Sequence, residues 1–144
     1  TIVTAGYEKT AHRAGTGYCY EERDGEFVTP GTINILVFTN KALTDSAMVK
    51  AIMTITEAKT AALQDWDAES VKLYPFINED IPEALTKERN STATGTSTDG
   101  VILTIDTNGD ILTDAGSFSL FGDTLAKAVY VGVQRALENA IGAE

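Results

Sequence analysis

The sequence TINILVFTNKALTDSAMVKAIMTITEAKTAALQDW, residues 32–66, changes its hydrophobic period in the middle. Its first eight residues are β-branched or apolar almost without a break, which predicts a central strand covered on both faces. Beyond residue 45 the small and apolar positions fall at spacings of three and four: Ala47, Met48, Ala51, Ile52, Ile55, Ala58, Ala62 and Leu63. That period predicts an amphipathic helix of about five turns, ending near Gln64 to Trp66. Thr44 is a helix N-cap by residue type, and Asp45 stands in the first turn, where the helix dipole favours an acid.

Outward from this pair, Ile2–Ala5 is a short β-prone run. Residues 8–26 are polar and carry Gly15, Gly17 and Gly25, and they read as loop; Pro30-Gly31 is turn chemistry. Residues 67–91 are irregular: Pro75 and Pro82 interrupt any long helix, leaving room for an edge strand at Val71–Phe76 and a short helix at Pro82–Lys87. Gly100–Thr107 and Asp110–Thr113 flank Asn108-Gly109, which predicts a hairpin whose two turn residues need positive φ. A second helix is expected from about Phe121 to Ile141, with Phe121, Leu125, Ala128, Val129, Gly132, Val133, Ala136, Leu137 and Ala140 in its apolar stripe. No internal repeat is visible. Two long helices against about four or five strands predict an α/β fold, a mixed β-sheet sandwich with both helices packed on the sheet and the strand order open.

The chain has 144 residues, about one domain. It carries 11 basic and 21 acidic residues, a net charge of −10, and its lysines and arginines are scattered singly. A nucleic-acid binder needs a basic face and an anionic membrane attracts one, so neither partner is expected. No window has the roughly 18 uncharged apolar residues of a spanning helix. The single cysteine, Cys19, cannot form an internal disulfide, and no signal peptide is visible; a reducing, cytoplasmic setting is expected. The start at Thr1 is read as methionine removal, as a processed start, or as an N-terminal threonine nucleophile whose amine would serve as base.

Chemistry concentrates in Ser91-Thr92-Ala93-Thr94-Gly95-Thr96-Ser97-Thr98-Asp99-Gly100, where six of ten residues carry a hydroxyl. Hydroxyls and backbone amides around a glycine cradle an anionic or polar group. Asp99 is either a general base or a local acceptor of backbone hydrogen bonds. The stretch lacks the glycine-lysine-serine/threonine ending of a nucleotide loop. On the first helix, Glu57 and Lys59 stand two residues apart and so face different sides, while Glu57 and Thr60 share one. Asn34, polar within an apolar strand, needs hydrogen-bond partners if buried: it ties a neighbouring loop or offers its amide to a ligand. His12 is the only histidine and reads as a surface residue, with a substrate contact or a cobalt-side contact as the alternative; no metal centre is expected around it. Asp106 to Asp110 lacks the twelve-residue pattern and closing glutamate of a calcium loop.

Taken in order, these pieces resemble the adenosylcobinamide amidohydrolase family. Val3-Thr4-Ala5-Gly6 with Arg13-Ala14-Gly15 is similar to its threonine-alanine-glycine segment. Pro30 to Ile35 is similar to its glycine-threonine-isoleucine-asparagine strand, and Leu43 to Ala47 with Thr56 to Leu63 to its principal helix. Ala93 to Asp99 is similar to its threonine-glycine-threonine-x-threonine-aspartate loop, and Ala115-Gly116, Gly122 and Ala128-Val129-Tyr130 fit its tail. The resemblance implies a single domain over residues 1–144 without the family's N-terminal segment. It also implies hydrolysis of the aminopropanol amide of adenosylcobinamide to adenosylcobyric acid; the alternative is a non-catalytic corrinoid- or metabolite-binding module of the same fold.

On that resemblance the partner is a corrinoid small molecule, no cofactor is needed, and cobalt enters only as part of the substrate. A homo-oligomer is left open. Glu57 and Asp99 are the expected catalytic carboxylates, activating a water or a threonine hydroxyl. Asn34, Lys59, Thr94, Gly95, Thr96 and Thr98 are the expected substrate-binding residues, with Asn34 positioning the amide and the 94–98 loop holding the oxyanion.

Overall fold

The computed structural model describes residues 1–6, 11–15, 32–66, 92–96 and 98–141. The expected edge strand at Val71–Phe76, the short helix at Pro82–Lys87, and Cys19 lie outside them. Strand β1 is Ile2–Ala5, β2 Ile33–Phe38 and β3 Ala42–Leu43; helix α1 is Asp45–Asp65; then come β4 Gly100–Thr104, β5 Ile111–Leu112 and helix α2 Leu120–Ile141. The sheet order is β1-β2-β4, with β1 antiparallel and β4 parallel to β2. The mixed sheet follows from the chain path: α1 is the crossover that a parallel β2–β4 pair requires.

Both helices lie on one face of this sheet. The alternation of β2 puts Ile33, Ile35 and Val37 into the core, beside Val101 and Leu103 of β4 and Val3 and Ala5 of β1. Ile55, Leu63, Val129, Val133 and Leu137 meet them from the helices. Among the described residues only this face of β2 carries a packed layer, where its composition suggested coverage on both. Among the described residues no second layer covers its outward side, where Leu36 is partly exposed between Ile2 and Ile102, and Phe38 is 58% exposed.

The helix ends are capped as their residues dictate. Thr44 has extended backbone and its Oγ accepts from Ala47 N at 3.3 Å. Ser119 does the same for α2, its Oγ accepting from Gly122 N at 3.0 Å. A methyl group at Gly122 would lie 1.9 Å from the Gly116 carbonyl oxygen, so only glycine admits this first turn. The helices are tied by Gln134 Nε2, which donates to the Ala62 carbonyl at 2.9 Å. Tyr130 Oη donates to Asp65 Oδ2 at 2.8 Å; that bond to a carboxylate raises the tyrosine pKa above its usual value. Thr54 Oγ donates to the buried Ala115 carbonyl at 2.8 Å and anchors the segment before α2.

The predicted hairpin is corrected. Residues 106–109 do turn, with Gly109 N donating to Asp106 O and Asn108 N to Asp106 Oδ1. The strands on either side then separate: β4 stays beside β2, and β5 pairs in parallel with β3. Gly15 is the one described glycine with positive φ, so Gly109 does not serve as a left-handed turn residue. It provides space instead, because a Cβ there would fall 2.2 Å from the Asn40 carbonyl oxygen.

Candidate functional site

Strands β2 and β4 run parallel, so their amino ends lie side by side. Asp99, one residue before β4, faces α1, because the next residue, Gly100, faces the opposite side of the sheet against Asn34. From α1, Lys59 reaches in, 9% exposed, and its ammonium donates to Asp99 Oδ2. Asp99 Oδ1 accepts from the Thr96 hydroxyl, from Ile33 N at 3.1 Å and from Thr96 N at 3.2 Å. One carboxylate thus joins the 92–99 loop, the start of β2 and the middle of the long helix. Its desolvation is offset by an ammonium and three further donors, the condition under which a buried ion pair persists.

The loop is held on its other sides as well. Thr60 Oγ donates to the Thr94 carbonyl at 3.3 Å, and Thr32 Oγ donates to the Thr98 carbonyl at 2.6 Å. His12 forms an antiparallel bridge with Gly95: His12 N donates to Gly95 O at 2.9 Å, and Gly95 N to His12 O at 3.3 Å. Thr94 N also donates to His12 O at 2.8 Å, and Ala14 N donates to Thr94 Oγ at 2.9 Å. Gly95 is buried with its bare α-carbon against the ion pair. A Cβ there would stand 2.6 Å from Asp99 Oδ2 and 2.9 Å from Lys59 Nζ.

Of the residues singled out in the sequence, Asp99, Lys59, Thr94, Gly95 and Thr96 come together, with the Thr98 carbonyl tied to Thr32, the residue before β2. Glu57 does not join them. It is exposed on α1, on the far side of Thr60 from Lys59, where a two-residue offset turns it about 200° around the axis. Asn34 is partly buried, but it lies on the outward face of the sheet, with its Oδ1 2.8 Å from where a Cβ on Gly100 would be. The sheet separates it from the ion pair. His12, expected at the surface, is instead partly buried and bonded to the loop through its backbone. Nothing in its neighbours in sequence announces that pairing, which spans 83 positions. Among the described residues no cluster of three His, Cys, Asp or Glu side chains has a metal-binding arrangement.

The sequence matches the adenosylcobinamide amidohydrolase family over residues 1–74 and 78–144, nearly the whole chain. The chain belongs to that family. The adenosylcobinamide amidohydrolase match takes in every residue of the cluster: His12, Lys59, Thr94, Gly95, Thr96 and Asp99. A protein of Methanosarcina mazei named adenosylcobinamide amidohydrolase is 31% identical over 95% of this chain and 60% of its own length. An uncharacterised protein of Methanocaldococcus jannaschii is 37% identical over 82% of this chain and 41% of its own length. The chain therefore spans about two-fifths to three-fifths of the length of these relatives. No solved structure matches it.

Proposed function

We propose that this adenosylcobinamide amidohydrolase family member hydrolyses the amide joining the corrin side chain of adenosylcobinamide to aminopropanol, with adenosylcobyric acid as the other product. The observation that carries this reading is the shielded Lys59–Asp99 pair built into a loop of hydroxyls and backbone amides.

Amide hydrolysis develops negative charge on the carbonyl oxygen, and donors fixed in a water-poor site stabilise that charge best. Lys59 suits this role. One of its three ammonium hydrogens is spent on Asp99, and the remainder can be aimed at an oxyanion. Asp99 is a positioning residue: its oxygens are already shared among Lys59, Thr96 and Ile33, and that sharing fixes both the ammonium and the loop. Glu57 has no part in the chemistry in this reading, because it lies outside the cluster. Asn34, on the outward face, contacts no reacting atom.

The test is incubation of the protein with adenosylcobinamide, with aminopropanol and the corrinoid acid measured separately. Equal amounts of both are expected from the wild type and from Glu57→Gln. Corrinoid binding without release of either product would instead identify a binding module.

A further inference from the structure

His12 is joined to this centre through its backbone bridge to Gly95. Its Nδ1 is shielded from solvent and has no hydrogen-bond partner among the described residues. Such an atom is uncommon, because a buried polar group without a partner costs free energy that folding must supply elsewhere. The direction of the side chain follows from the bridge. Residues directly opposite in an antiparallel pair project to the same side, with Cβ positions about 5 Å apart. The partner of His12 is Gly95, and the Cβ direction of Gly95 points at Asp99 Oδ2 and Lys59 Nζ. The imidazole is therefore on the side of the ion pair. The charged groups there are Lys59 from α1 and Asp99 from the loop, while Arg13 follows His12 in the chain.

We infer that His12 is a catalytic residue that carries the proton in the hydrolysis, an inference that rests on the amidase reading above. Asp99 is occupied by four donor groups, and imidazole is the side chain that both accepts and releases a proton near neutral pH. As water attacks, its oxygen bonds to the amide carbon and one of its protons passes to His12. The carbonyl electron pair moves onto oxygen, opposite the Lys59 ammonium. When the tetrahedral intermediate collapses, the carbonyl re-forms and the carbon–nitrogen bond breaks. His12 then returns its proton to the departing nitrogen. One water is consumed, the products are a carboxylic acid and a free amine, and no electrons are exchanged.

The experiment compares the wild type with His12→Gln across about pH 5 to 8, the range where an ordinary histidine changes charge. Product release and corrinoid binding, by visible-spectrum titration, are measured on both. The variant should bind the corrinoid as the wild type does and hydrolyse it about 100-fold or more slowly, the usual span for lost acid–base catalysis. Its residual rate should lack the inflection of the wild-type pH profile. A side chain that merely supports the loop would leave that inflection in place, so its survival overturns the inference, as does an unchanged rate. If the wild type itself binds and releases nothing, both the amidase reading and this role fall. If the wild type turns over and the variant keeps pace, only the role of His12 falls. A second readout needs no variant: the chain has one histidine, so its ring ¹⁵N signals need no assignment. They should shift on adding adenosylcobyric acid, and constancy at saturation would overturn the proposal.

Discussion

Gly95→Ala puts a single methyl group into the centre of the cluster. The new Cβ would start 2.6 Å from Asp99 Oδ2 and 2.9 Å from Lys59 Nζ, where ordinary contact begins at 3.4 Å. The carboxylate must retreat by about 0.8 Å, the difference between those distances. Lysine has four rotatable carbons and yields easily. Asp99 does not: a retreat of that size stretches its bonds from Ile33 N and Thr96 N, now 3.1 and 3.2 Å, towards or past the hydrogen-bond limit. Overpacking of this kind costs about 1–3 kcal/mol, a fall in Tm of roughly 3–10 °C for a chain of this size. Activity should suffer more than stability, because a displacement of about 1 Å in a positioned group costs on the order of 100-fold in rate. The assay is thermal denaturation followed by circular dichroism, run beside aminopropanol release. Gly6→Ala is the control, since a Cβ there meets nothing within 4 Å. A Gly95→Ala protein as stable and as active as the Gly6→Ala protein would refute the packing of this site.

Two further outcomes concern the frame that carries the cluster. The Tyr130 pKa is raised by its bond to Asp65, so the neutral phenol contributes stability that is complete below about pH 10 and is lost as pH rises through the folded-state value. A spectroscopic alkaline titration should show one tyrosine ionising later than an ordinary phenol, and Tyr130→Phe should remove that step; a titration unchanged by the substitution contradicts the contact. Thr54→Val keeps the shape of the side chain but strands the buried Ala115 carbonyl, which should lower stability by about 1–3 kcal/mol in denaturant unfolding.

Local signals in the sequence were reliable where the cause was local. The Thr44 cap, the three-and-four spacing along α1 and the long apolar stripe of α2 each depend on residues within a turn or two, and each formed as expected. Strand β2 was legible as a strand, but a run such as INILVF does not say which layers will cover it, and among the described residues only one face is covered. Asn108-Gly109 misled for a similar reason. The dipeptide fits a left-handed turn, yet β5 found its partner in β3, some 69 positions back, and the glycine answers to the Asn40 backbone. At the site, Asp99 and Lys59 both stood out by residue type. Their pairing across 40 positions did not, nor did the bridge that brings His12 to Gly95. Glu57 drew attention as an acid close to Lys59 in sequence, whereas helix geometry turns the two apart.

The claim at the centre is that the ammonium of Lys59, held by Asp99, stabilises the oxyanion formed on the corrin side-chain amide. It is tested most directly by the single-turnover rate of aminopropanol release from bound adenosylcobinamide in the wild type and in Lys59→Gln. Loss of a preorganised oxyanion donor should slow that step by about 100- to 1,000-fold while the corrinoid still binds. Release by Lys59→Gln at the wild-type rate would contradict the account.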